Sequence, residues 1–112
     1  PMIKKEDGRL DWRQSAAELD RRIRAMTPWP GAYADWQGQP LKILAARPVE
    51  QPATGAPGQI IRGEMAGTAV AITGEGGLQL QTVQLAGKRA LDMAEFLRGR
   101  PDFIGSQLGA DV

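Results

Sequence analysis

The sequence predicts a mainly β domain, a small and partly open Greek-key (OB-like) barrel carrying two short helices. Three observations point there. Short apolar-alternating runs recur between turn signals, 14 glycines and 8 prolines punctuate 112 residues, and only two segments carry helical spacing. A chain of this length has room for one domain with one modest core. Only 5% of residues are aromatic although 42% are hydrophobic, so each large ring carries an unusual share of that core.

The opening "PMIKKEDGRLDW" mixes both charges around one glycine and ends on Trp12. It reads as an extended interdomain linker, residues 1–12, anchored by that ring, with the barrel domain spanning 13–112. "SAAELDRRIRAM" follows as the first helix, with Ser15 and Glu18 spaced as a capping box. Ala16, Leu19, Ile23 and Met26 form its apolar stripe. On the other side Glu18 with Arg22 and Asp20 with Arg24 stand at i,i+4, which leaves Arg21 as the cation with no local explanation.

In "MTPWPGAYADWQG" the prolines Pro28 and Pro30 fix φ on either side of Trp29, and Gly31 lets the chain turn from helix into hairpin. This is a structural corner; base stacking on Trp29 or Trp36 is the alternative and requires an exposed ring. "AYADW" and "LKILAARPV" read as paired strands around "QGQP", with Gly38 supplying a positive φ. Residues 50–58, "EQPATGAPG", read as a loop to which no role is assigned. "QIIRGEM", "TAVAIT" and "LQLQTVQL" complete the strands, with "GEGG" as a second hairpin turn. Leu78 and Leu80 fall on one phase of the last strand and Val83 and Leu85 on the other, so a bulge near Gln81 or Thr82 is required. The second helix lies in "AGKRALDMAEFLRGR", with Asp92 and Glu95 spaced as a capping box, Phe96 and Leu97 facing inward and Gly99 at its end.

The composition also limits the chemistry. The chain has neither histidine nor cysteine, which removes the usual general base, most nucleophile-base pairs and nearly all zinc sites. No catalytic residue, metal ligand or cofactor site is assigned. Lys and Arg number 14 against 13 Asp and Glu, so a case for nucleic acid rests on where the cations fall. No apolar run approaches the roughly 20 residues of a membrane span, and the reading is a soluble, cytoplasmic protein.

"KKEDGRLDW", "SAAELDRRIRAMTPWPGAY" and "LAGKRALDMAEFLRG", in this order, resemble the C-terminal domain of the methionyl-tRNA formyltransferase family. "RAMTPWPGAY" is the most diagnostic stretch. "GKR" before a capped "AEFL" favours this family over related sugar and folate formyltransferases. The resemblance implies a transferase of translation initiation that uses 10-formyltetrahydrofolate as formyl donor. Its catalytic domain, with an Asn, His and Asp set, would precede this barrel in the same polypeptide. The barrel would help hold initiator methionyl-tRNA, and the chain alone would be inactive. Pro1 then reads as linker rather than as a start.

The candidate phosphate-contacting residues are Lys4, Lys5, Arg9, Lys42, Lys88 and Arg89; the candidate structural residues are Trp12, Pro28, Trp29, Pro30 and Gly31. Lys42 alternates with Leu41 and Ile43 and therefore points outward. A monomer is expected. The alternative is a structural barrel packed on the catalytic domain of a nucleotide-sugar or folate formyltransferase. An independent single-strand-binding barrel is disfavoured by the low aromatic content.

Overall fold

The structure is a computed structural model and describes residues 8–27, 31–50 and 55–109. Lys4, Lys5, Pro28, Trp29 and Pro30 lie outside the described residues. Helix α1 (Ala16–Met26) starts on the expected capping box: the Glu18 N–H donates to Ser15 Oγ at 3.2 Å and the Ser15 N–H donates to the Glu18 carboxylate at 3.1 Å. Its stripe of Ala16, Leu19 and Ile23 is buried and Met26 packs partly against the core. The helix ends at Thr27, whose N–H and hydroxyl both donate to the Ile23 carbonyl. No helix among the described residues is long and apolar enough to cross a membrane.

Six strands form one antiparallel, partly open sheet. They are β1 (Tyr33–Trp36), β2 (Gln39–Val49), β3 (Ile60–Arg62), β4 (Ala69–Ile72), β5 (Gly77–Leu85) and β6 (Leu91–Asp92). The order is β1-β2-β5-β4-β3, and β6 joins β5 beyond the end of β4. Because β3, β4 and β5 are successive neighbours and β2 returns to lie beside β5, this is the Greek-key order. The β1–β2 hairpin turns on Gln37 and Gly38, both left-handed at φ 53° and 80°. Two such residues give the turn whose twist matches that of the strands. Gly38 was expected there; Gln37, which lacks glycine's freedom, was not.

The required bulge is present. Pairing runs Ile43↔Val83, then Ala45↔Thr82, then Ala46↔Leu80, so Gln81 is an extra residue in β5 and Leu44 an extra residue in β2. The slip brings Leu78, Leu80, Val83 and Leu85 all inward while Gln81 stays exposed. The "GEGG" turn also forms: the Thr73 N–H donates to the Gly76 carbonyl, and Gly77 already belongs to β5.

The core centres on three rings. Trp36, Phe96 and Phe103 meet pairwise at centroid distances of 5.7, 5.3 and 5.1 Å, two of the three pairs edge-to-face. The last described part of the linker-like opening joins this core. Leu10 donates its N–H to the Tyr33 carbonyl and Arg9 bridges to Tyr33 in parallel, so residues 8–12 run along the free edge of β1 and bury Leu10 and Trp12. The free edge supplies the acceptors that draw this segment in. Gly8 is needed there, because a Cβ would collide with the Gly31 carbonyl oxygen.

β1 and β3 do not pair with each other. The segment 105–109 links them: on the β3 side the Gly105 N–H donates to the Ile60 carbonyl and the Ile60 N–H donates to the Ser106 carbonyl, Leu108 donates to Gly58, and Gly109 donates to Asp35 of β1. Trp36 adds a side-chain tie, its Nε1–H donating to Ser106 Oγ at 3.0 Å.

Candidate nucleic-acid interface

The register of β1, β2 and β5 sets which side chains share a face. Arg9 bridges to Tyr33, Tyr33 pairs with Lys42, and Lys42 pairs with Gln84. Residues directly opposite one another project to the same side of a sheet. Arg9, Tyr33, Lys42 and Gln84 therefore form one row across the outer face, about 14 Å long for three interstrand steps. The inward neighbours Leu41, Ile43, Val83 and Leu85 are buried, which fixes the row's outward direction.

A turn meets the row at β5. Gln84 Nε2 donates to the Lys88 carbonyl at 2.8 Å, and the Lys88 N–H donates back to Leu85 at 3.0 Å, so the turn after β5 is tied to the end of the row. Gly87, at φ 75°, makes that reversal possible. Lys42 and Lys88 are exposed and make no ion pair with a described residue.

Arg9 is differently placed. Its Nη1 lies 2.5 Å from Asp35 Oδ2 and its guanidinium sits over the Tyr33 ring, 5.4 Å from the centroid. The Asp35 hydrogen bond and charge raise the pKa of the guanidinium above its ordinary value. It is fixed in position and partly neutralised. Nearby, Arg13 holds the Asp11 carboxyl below the usual carboxylate range through side-chain and backbone hydrogen bonds.

Arg89 is not in the row; together with Lys88 it lines a groove of about 300 Å³. Its Nη2 meets Glu95 Oε2 at 2.6 Å. This corrects one expectation at α2 (Met93–Gly99). The Glu95 N–H does donate to Asp92 Oδ1 at 2.8 Å, but the Glu95 side chain turns to Arg89 instead of closing the capping box. A guanidinium within reach outcompetes a neutral N–H for a carboxylate. Val83, Leu85, Leu91 and Phe96 line the floor of the groove, and Lys88, Arg89 and Arg100 carry its positive rim.

Of the candidate phosphate contacts, Arg9 and Lys42 are thus brought into one row, Lys88 lies in the turn tied to its end, and Arg89 lines the groove together with Lys88. Gly31, buried at φ 91°, lies under the Lys42 stem: a Cβ there would sit 3.3 Å from Lys42 Cε. Trp12 is buried, and its Nε1–H has no acceptor among the described residues. Tyr33, Gln84 and Arg100 escaped the sequence reading. The first two are uncharged and gain their place only through cross-strand register, and Arg100 follows a helix end where charge alone carries no address. Arg21 is exposed on α1, while Arg24 pairs with Asp20 at 3.3 Å.

Fold and face together define a class: a small antiparallel β domain that presents a cationic line on the solvent side of its sheet. The chain belongs to the formyl transferase C-terminal domain family, whose family model matches residues 2–101. It is 37% identical over 108 residues to a methionyl-tRNA formyltransferase of Gluconacetobacter diazotrophicus, covering 96% of this chain and 34% of that protein. It is 45% identical to the Roseiflexus castenholzii protein of the same name, again over 96% of this chain and 34% of the relative. The chain therefore spans about a third of the length of these relatives. A crystal structure of a HypX variant from Aquifex aeolicus shares the fold, with a TM-score of 0.71 at 21% identity over 93% of this chain and 19% of HypX.

Proposed function

We propose that this chain is the C-terminal, tRNA-docking module of a cytoplasmic methionyl-tRNA formyltransferase. The row of Arg9 and Lys42, with Lys88 in the turn tied to its end, carries this reading. Two cations on one sheet face and a third beside them, Lys42 and Lys88 without a carboxylate partner among the described residues, suit a phosphate backbone better than a scattered surface would. Such contacts orient the substrate without reading its sequence. Lys4 and Lys5 extend the same electrostatic surface in this proposal, and Arg89 adds to it once its bond to Glu95 is shared. Trp12 anchors the linker that leads to the catalytic domain of the same polypeptide.

Formyl transfer from 10-formyltetrahydrofolate is then the work of that other domain, and the module is monomeric. Initiator methionyl-tRNA binding by the full-length protein, titrated against salt, tests the reading. Affinity should fall steeply and linearly on a log-log scale. Purified 112-residue chain should show no formyl transfer. Turnover by the chain alone refutes the division of labour, and tRNA affinity indifferent to salt favours a purely structural barrel.

A further inference from the structure

The groove beside Arg89 has a property that a line of phosphate contacts does not need: an apolar floor. Val83, Leu85 and Phe96 are buried beneath it, and Leu91 is half-buried. The Arg100 guanidinium lies over the Phe96 ring, 5.7 Å from its centroid, so one side of the slot is a charged plane backed by an aromatic ring. Glu95 is the single carboxylate among the described residues that line it, and Arg89 already occupies it. Lys88, whose carbonyl ties to Gln84 at the end of the cationic row, stands at the mouth.

We propose that this groove receives one unpaired RNA nucleotide, its base laid against the Arg100 guanidinium and its phosphate on Lys88. The proposal rests on the tRNA-docking reading and deepens it. Unpaired bases are commonly held on guanidinium planes as well as on aromatic rings, and Lys88 belongs both to the groove lining and to the turn tied to the end of the cationic row. An acidic protein surface would satisfy the charge but leaves the planar, apolar slot without a use. Arg suits this role where Lys does not, because only the guanidinium offers a flat, weakly hydrated face.

The test compares two RNAs of equal length and charge, a blunt duplex and one with a single unpaired nucleotide, binding to the full-length protein at fixed salt. The unmodified protein should prefer the unpaired form by about tenfold, the scale of one stacked base. Arg100→Lys keeps the charge and removes the plane. It should abolish the preference, whereas Lys42→Ala should weaken both RNAs alike and keep the preference. Equal affinity of the unmodified protein for the two RNAs overturns the groove assignment while leaving the docking reading intact. A preference that survives Arg100→Lys does the same. Competition by polyglutamate as effective as RNA of matched charge assigns the groove to an acidic protein and overturns the proposal. Absence of salt-dependent binding to either RNA overturns the docking reading itself.

Discussion

Trp36→Ala should be among the most destabilising single changes in this domain. The indole is 2% exposed, meets Phe96 at 5.7 Å and Phe103 at 5.3 Å, and donates to Ser106 Oγ at 3.0 Å. Truncating a buried ring of this kind costs about 3 to 5 kcal/mol, the lost transfer energy plus the cavity left behind. Against a total stability of about 5 to 15 kcal/mol that is about a fifth or more, and it should lower Tm by at least about 12 °C. Urea unfolding followed by circular dichroism measures it directly. The polar tie can be separated from the packing. Trp36→Phe keeps a ring and removes the donor, and the Ser106 hydroxyl still donates to the Phe103 carbonyl at 2.6 Å. Ser106→Ala instead strands a buried indole N–H, at a cost of about 1 to 3 kcal/mol. The double variant Trp36→Phe/Ser106→Ala should therefore lose less than the sum of the singles, because no donor is left to strand. A loss below about 1 kcal/mol for Trp36→Ala, or strict additivity in the cycle, would refute this account of the core.

Gly74→Ala should cost about 1 to 3 kcal/mol, since a Cβ there collides with the Arg13 carbonyl oxygen, which the neighbouring backbone bonds hold in place. Gly38→Ala meets open space but keeps φ at 80°, so a smaller loss of about 1 kcal/mol is expected; equal losses in urea would contradict the distinction. Ser15→Ala removes one half of the α1 capping box and should cost about 1 kcal/mol, with Ser15→Asp recovering most of it. Asp35→Asn releases the Arg9 guanidinium from its carboxylate and should raise RNA affinity; weaker binding would show that the pair's geometry, and not its charge, serves the interface.

Much of this fold was legible in the sequence because it is written locally. The α1 stripe and its capping box, the hairpin at Gly38 and the bulge forced by the phase change between Leu80 and Val83 all follow from spacing within a few residues. What was hidden depends on contacts far apart in the chain. Trp12 was expected to anchor the opening segment, but Leu10 enters the core only because β1 has a free edge, and a short mixed-charge segment gives no sign of that. The role of residues 105–109 in linking β1 to β3 is likewise set by bonds to Ile60, Gly58 and Asp35. The site divides the same way. Lys42 announces itself by alternating with Leu41 and Ile43, yet its alignment with Arg9 needs Tyr33 to pair with both. Glu95 shows how a local rule loses to a longer contact: its spacing from Asp92 fits a capping box, but Arg89 takes the carboxylate.

The central claim is that position on the sheet row, and not net charge, binds tRNA. The measurement that tests it is the slope of log affinity against log salt for initiator methionyl-tRNA and the full-length protein. Two double variants remove the same charge, Lys42→Ala/Lys88→Ala on the row and Arg21→Ala/Arg62→Ala away from it. The row variant should bind more weakly and lose about one unit of slope for each phosphate contact removed, while the control keeps the slope of the unmodified protein. Equal losses in the two variants would contradict the claim.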